Sequence, residues 1–304
     1  MSEERPLSGV LVIDKPRGPT SHDVVARLRA GLGTKRVGHA GTLDPMATGV
    51  LVVAIGEATK LVPWLTAHAK SYEATIALGV ETDTLDAEGR VVRRIAPSDA
   101  LRDALADQRE PAPLLRAALE GERARTSQVP PAYSAIRSDG ERAFDRARRG
   151  EALELAPRDV RILGLELVRW TLDPPSLWVT MDVTKGYYIR ALARDLAEAL
   201  GTAGHLTSLR RTRSGCFTIA EALSLETRPG QLRASVEPLA SAAARALPAL
   251  RLTHDGAADA RHGRAVLVGT QIRGPQAWFA PDGDLVAIGE ADEDGRGKIL
   301  RGFL

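Results

Sequence analysis

Residues 38–51, GHAGTLDPMATGVL, are the densest run of unusual residues in the chain. Glycines at 38, 41 and 49 permit tight turning and close backbone approach around one acid, Asp44. The apolar run that follows, VLVVAI at 50–55, has the length of a buried strand, so the acid lies on a loop that feeds a sheet. Upstream, Val10 to Ile13 is a short apolar strand stopped by DKPRGPTS at 14–21, where two prolines and a glycine forbid regular structure. Ser21 offers an N-cap to a helix carrying Val24, Val25 and Leu28 on one face, with its end at Gly31 or Gly33. Downstream, a helix over 58–67 precedes a strand in which Tyr72, Ala74, Ile76 and Leu78 alternate with Glu73, Thr75 and Ala77. An Asp before Pro is commonly an Asx-turn or a helix cap, so residue type alone leaves Asp44 between a structural and a chemical role.

The stretch from Ser98 to Gly150 reads as a mostly helical insertion, interrupted by PAP at 111–113 and by SQVPPAYSAIRSDG at 127–140. Val160 to Leu172 and Leu177 to Val183 predict strands around the turn DPPS, and Tyr188, Leu192 and Leu196 fall at i, i+4, i+8 on a helix closed by Gly201. Beyond about Leu247, short apolar stretches and the hairpin signal PDGD predict a small β-rich domain, which divides the chain at 1–246 and 247–304.

At 304 residues and 44 % hydrophobic content the chain has room for about two cored domains. With 41 basic and 39 acidic side chains the net charge is only +2, so any basic surface is local. Arg supplies 35 of the basic residues and Lys 6, a bias that suits bidentate phosphate recognition and that a GC-rich genome also produces. The single cysteine, Cys216, excludes an internal disulfide and a thiolate metal cage and agrees with a reducing compartment. The N-terminus MSEERPLSG lacks the basic start and apolar run of a secretory signal, and the longest apolar stretch, Val50 to Ile55, is too short for a bilayer; a cytoplasmic protein without membrane contact is expected. There is no GxGxxG after a strand, no GxxxxGK[ST] and no HExxH among the six histidines, so neither cofactor nor metal is expected.

GHAGTLDPMATGVL closely resembles the catalytic motif of the TruB family of tRNA pseudouridine synthases. DKPRGPTS at 14–21, GEATKL at 56–61, KSYEATIALGVETDTLDAEG at 70–89, QVPPAYSAI at 128–136, KGYYIRALARDL at 185–196 and HLTSLRRTRSG at 205–215 follow in the family's order, across most of residues 9–225. The resemblance implies an α+β fold with a mixed, mainly antiparallel sheet and flanking helices. The β-rich tail stands where bacterial members carry a PUA-like RNA-binding domain.

The activity so implied is conversion of uridine 55 in the tRNA T loop to pseudouridine. The N1–C1′ bond breaks, the uracil turns while bound, and C5 joins C1′ before the C5 proton leaves. Asp44 matches the family's catalytic aspartate, which attacks C1′, removes the 2′ proton or adds to C6. A buried carboxylate tends to take up a proton, and Arg190 matches the family arginine that opposes this. Tyr72 matches the tyrosine that stacks on the base and receives or relays the C5 proton. The base must be flipped out, with His39 matching the residue that supports the rearrangement and Leu209 lining the uracil pocket. Lys15 and Pro16 shape the site, Tyr188 joins the RNA-binding set, and Asp86, a candidate to orient nucleotides or Arg side chains, is kept outside the catalytic set. Tyr187, Thr184 and Met46 depart from the residues usual in the family.

For RNA contact, Arg210, Arg211 and Arg213 form a basic run without an acid, and Arg142, Arg146, Arg148 and Arg149 crowd a second segment in which Glu141 and Asp145 interleave. The expected partner is the T arm of tRNA, with no obligatory protein partner. A guide-RNA-dependent synthase subunit and a non-catalytic tRNA-binding or folding protein are the alternatives. Deleting the tail is expected to weaken tRNA binding more than chemistry, unless the tail packs on the catalytic domain and holds it folded.

Overall fold

The computed structural model describes residues 7–134, 136–138, 141–142, 146, 149, 151, 155–269 and 273–303. Its main strands are β1 (Gly9–Lys15), β2 (Val37–His39), β3 (Thr48–Ile55), β4 (Lys70–Leu78), β5 (Ile162–Leu172), β6 (Pro175–Val183) and β7 (Gly204–Ser214). The helices that matter below are α1 (Ser21–Leu32), α2 (Asp99–Ala106), α3 (Pro113–Arg123) and α4 (Ile189–Ala199). Two compact units emerge: one of residues up to Leu43, Gly49–Ala67 and Ser214 onward, the other of Asp44–Thr48 and His68–Arg213.

In the first unit β1 runs antiparallel to β3, from Gly9 opposite Ile55 to Lys15 opposite Gly49, and β2 adds to β3. Both long strands are buried along nearly their whole length, which is why their sequences read as unbroken apolar runs. Helix α1 starts one residue earlier than the N-cap reading of Ser21 predicts. Thr20 is the cap: its hydroxyl accepts from the Asp23 N–H at 3.1 Å while the Asp23 carboxylate accepts from the Thr20 N–H at 2.8 Å, a reciprocal capping box that leaves Ser21 as a buried first-turn residue. The helix ends at Gly33, whose φ of 67° is the left-handed conformation a C-terminal glycine supplies.

The tail is β-rich, as its pattern predicts. Its sheet has the order Ala249–Arg251, Gln276–Phe279, Leu285–Ala291, Arg296–Gly302, Val266–Leu267. One face has a small core of its own around Trp278, Val286, Leu252 and Ala257. The other contributes Ala277, Phe279, Leu285, Ile288 and Phe303 to one buried cluster with Val10, Val12, Val52, Ala54 and Leu61. Lys60 of the GEATKL segment ties the same face down: its ammonium donates to the Gly302 carbonyl at 3.1 Å and stands 5.4 Å from the centre of the Phe303 ring.

In the second unit the strand order is β5-β6-β4-β7, and β4 and β6 are antiparallel, with Tyr72 opposite Met181. On β4, Lys70, Tyr72, Ala74, Ile76 and Leu78 are buried while the intervening residues are not, the period-two pattern of a strand covered on one face. Helices α2 and α3 pack on β5, and α3 also meets α4. In the 98–150 insertion α2 and α3 come first, and among the described residues after Arg123 there are short strands at Ser127–Gln128, Arg137–Ser138 and Glu141–Arg142 and a helical residue at 146. Among the described residues no helix is long and apolar enough to cross a membrane.

Candidate active site

Asp44 is delivered by a backbone clamp. The buried Ser21 hydroxyl accepts from the Leu43 N–H at 2.8 Å and donates to the Leu43 carbonyl at 3.0 Å, which fixes the residue before the acid. The turn then closes through a 3.1 Å hydrogen bond from the Ala47 N–H to the Asp44 carbonyl. The Asp44 side chain meets Arg190 on both oxygens: Nε lies 2.9 Å from Oδ2, and Nη2 donates to Oδ1 at 3.3 Å. This forked geometry is the one in which guanidinium binds carboxylate best. The two side chains differ in access, with Asp44 35 % exposed and Arg190 only 7 %. The acid faces outward from a buried base plate.

Arg190 is held as firmly as it holds. Its Nη1 donates to the Thr84 carbonyl at 2.8 Å, and its Nη2 donates to the Tyr133 carbonyl at 2.7 Å. The Asp86 carboxylate stands 3.7 Å from Nη1, and is itself buried and fixed by the Thr84 hydroxyl at 2.6 Å and the Glu88 N–H at 3.0 Å. The guanidinium is thus surrounded by two carboxylates and two carbonyls, each from a different stretch of chain or a different residue of one turn. The sequence reading keeps Asp86 outside the catalytic set as a residue that orients nucleotides or Arg side chains, and its carboxylate does face the Arg190 guanidinium. Ser21 and Gln128 were missed. The Gln128 side-chain carbonyl accepts the Tyr188 N–H at 2.9 Å, at the residue before α4 on which Arg190 rides.

Tyr72 and Leu209 are buried on β4 and β7 of the same unit. Tyr188 lies in the electrostatic field of the pair: burial raises its phenol above the usual range, Arg158 and Arg190 counter this, and Asp44 reinforces it. Lys15 and His39 belong to the first unit. Lys15 is fully buried, with its ammonium 2.9 Å from the Pro16 carbonyl it donates to, and the His39 ring meets His22 edge-on at 6.1 Å.

The basic segments need correction. Arg211 is 1 % exposed, because alternation along β7 turns it to the same covered face as Leu209; it is not part of a solvent-facing run. Arg210 donates to the Thr48 hydroxyl at 3.3 Å, and Arg213 pairs with Asp182 at 2.7 Å. In the second segment Arg146 pairs with Glu151, and Arg149 with Glu141 and Glu151, as a solvated charged face would; Arg148 and the Arg142 side chain lie outside the described residues. Cys216 is half-buried with its thiol pushed up by burial, which disfavours the reactive thiolate.

Lys70 shares the buried face of β4 with Tyr72 and donates to the His68 carbonyl at 2.6 Å. Burial first, then the positive charges of Arg211 and Lys185, lower its pKa from 10.5 to about 8. Between those values the unfolded chain binds more protons than the folded one, so Lys70 costs stability at neutral pH and the cost fades as pH rises. Lys70→Met is therefore expected to gain stability over wild type at pH 7, by something of order 1–3 kcal/mol, with the difference shrinking between about pH 8 and 10.5. Thermal melts of both proteins across that range check this; a flat difference contradicts it.

Comparison with known proteins gives the family. Residues 29–189 match the TruB family pseudouridylate synthase N-terminal domain, 190–242 the tRNA pseudouridylate synthase B C-terminal domain, and 247–304 the tRNA pseudouridine synthase II C-terminal domain. The chain is 45 % identical over 291 residues to a tRNA pseudouridine synthase B of Thermobifida fusca (strain YX), covering 93 % of this chain and 94 % of the relative. It is 48 % identical over 282 residues to the protein of that name from Mycobacterium sp. (strain KMS), covering 92 % and 91 %. Among solved structures, the crystal structure of a Cbf5-Nop10-Gar1 complex contains a chain 26 % identical with a TM-score of 0.71, covering 97 % of this chain and 84 % of that one. An ordered set of motifs, a carboxylate gripped by a buried arginine, and domain matches running from residue 29 to the end converge: the chain belongs to the TruB family of pseudouridylate synthases.

Proposed function

We propose that the protein isomerises uridine 55 of the tRNA T loop to pseudouridine in the cytoplasm, without a guide RNA, and that Asp44, Arg190 and Tyr72 carry the chemistry. The observation that carries this reading is the forked Asp44–Arg190 pair, in which the arginine is buried and the acid is open to an incoming nucleotide. A carboxylate so placed serves the glycosidic step by attack at C1′, by taking the 2′ proton or by adding to C6. The guanidinium orients it and, being pinned to carbonyls on two other segments, does so at little cost in reorganisation. The reaction conserves atoms: the N1–C1′ bond is replaced by C5–C1′, and the hydrogen lost from C5 is balanced by one gained at N1. Identity of 42–48 % to proteins named tRNA pseudouridine synthase B favours tRNA as the substrate over a guide-dependent one. The binding roles that the resemblance implies for His39, Lys15, Leu209, Tyr188 and Arg210 are part of this proposal. Catalysis is assigned to the chain before residue 247, with the tail adding RNA contacts.

Incubating the purified protein with an unmodified tRNA transcript and mapping pseudouridine tests activity, position and the need for a guide in one assay. A product at position 55 with no added RNA supports the reading; no product, or product only with a guide, refutes it. Tyr72→Phe retains the ring and loses the phenol, so binding should persist while overall turnover falls by about 10²–10⁴. If Phe turns over like Tyr, the phenol has no part in proton transfer.

A further inference from the structure

Among the described residues Leu85 is the one non-glycine with a positive φ, at 61°. A Cβ disfavours the left-handed region, and a bulky apolar residue there is an outlier that its surroundings must hold in place. The surroundings are explicit. The Leu85 side chain is 7 % exposed, its N–H donates to the Thr82 carbonyl at 3.1 Å, and its own carbonyl accepts from Leu206 on β7 at 3.1 Å. The two residues that flank it are the two that meet Arg190 Nη1: the Thr84 carbonyl at 2.8 Å and the Asp86 carboxylate at 3.7 Å.

We propose that Leu85 is a positioning residue for the isomerase reaction, whose left-handed backbone turns the Thr84 carbonyl and the Asp86 carboxylate together onto Arg190 and thereby sets the orientation of Asp44. A residue with ordinary negative φ at 85 rotates the two flanking peptide planes apart, so that only one of the two groups reaches Nη1. Arg190 would then rest on Tyr133 and one partner, and Asp44 would lose its fixed orientation. The strain sits at the site it serves, which is where strained backbone concentrates. The buried Leu side chain adds packing that steadies the turn and so contributes to Tm, while the handedness of the backbone sets the direction of the two flanking groups.

The proposal rests on the roles given to Asp44 and Arg190, and handedness and packing make opposite predictions for two substitutions. Leu85→Gly enters the left-handed region freely but forfeits the apolar side chain; Leu85→Val retains most of that side chain, but its branched Cβ resists a positive φ. If Leu85 acts through backbone direction, Gly keeps single-turnover kcat within about threefold while lowering Tm, and Val lowers kcat by at least about tenfold with tRNA Kd unchanged. A role in packing alone gives the reverse order, with Val active and Gly impaired, and that result overturns the proposal. Circular dichroism and tRNA binding establish that each variant is folded. Should Val fail to fold, Leu85→Ala replaces it, since it too carries a Cβ: kcat of Gly at or above Ala supports the proposal, and Ala above Gly overturns it. A wild-type protein without turnover on tRNA overturns this inference and the functional reading together, whereas an active wild type with the wrong order of variants overturns this inference alone.

Discussion

Asp44→Asn abolishes turnover on tRNA while leaving the fold and RNA affinity close to wild type. The amide is nearly the same size as the carboxylate, and Asp44 is 35 % exposed, so its loss removes a partly solvated ion pair that adds little to stability. Arg190 remains held by the Thr84 and Tyr133 carbonyls and faced by Asp86, and so does not collapse into the site. The chemistry has no such reserve. An amide neither attacks C1′ nor takes a proton, and general acid–base loss alone costs about 10²–10⁴ in rate, with a nucleophilic or proton-abstracting role adding to it. A fall of about 10⁴ or more in the single-turnover rate is expected, with tRNA Kd within about threefold. Tritium release from tRNA carrying 5-tritiated uridine, together with filter binding, measures both. Activity within tenfold of wild type would remove Asp44 from the mechanism.

What the sequence made legible was whatever a local period or a contiguous motif encodes. The alternation of Tyr72, Ala74, Ile76 and Leu78 is a β4 strand with one face covered, and the i, i+4, i+8 spacing of Tyr188, Leu192 and Leu196 is the start and buried stripe of α4. Asp44 and Arg190 each sit in a motif that is specific by itself, and the structure brings the two side chains together across 146 positions of sequence. The misses were contacts that no local pattern specifies. Thr20 and Ser21 are both acceptable N-caps by type, and only the reciprocal Asp23 bond shows that Thr20 caps while Ser21 is free to clamp Leu43. Asp86 reads as a residue that orients nucleotides or Arg side chains; which arginine it faces, Arg190, is a property of the tertiary fold. Arg211 sits in a run of arginines whose common charge suggests a common use, yet strand alternation sends it inward and Arg210 to the other face. The tail's β content was legible from short apolar runs, but what those runs pack against was not.

That last point carries the second large effect. Ending the chain before Leu247 is expected to yield insoluble or unfolded protein rather than an active enzyme with weak RNA binding. The cut removes Ala277, Phe279, Leu285, Ile288 and Phe303 from a cluster they share with Val10 and Val12 of β1, Val52 and Ala54 of β3, the strand into which the GHAGTLDPMATGVL loop runs, and Leu61 of the GEATKL segment. Losing a single buried Phe costs about 3–5 kcal/mol, and several such losses together exceed the roughly 5–15 kcal/mol by which a folded chain is stable. Lys60 would also lose the Gly302 carbonyl and the Phe303 ring it now binds. A graded version avoids the risk that truncation fails for trivial reasons: Phe303, 3 % exposed, changed to Ala should lower Tm by about 6–20 °C, at about 2–4 °C per kcal/mol, with kcat on tRNA preserved at temperatures where the variant is folded. A truncated chain that is soluble, retains native circular dichroism and turns over normally at saturating tRNA would show that the shared cluster is dispensable and that the tail serves RNA contact alone. A loss of Tm in Phe303→Ala without loss of tRNA affinity would mean that the last strand is first a structural wall of the unit that carries β1 and β3, and that any RNA it binds is bound by its opposite face.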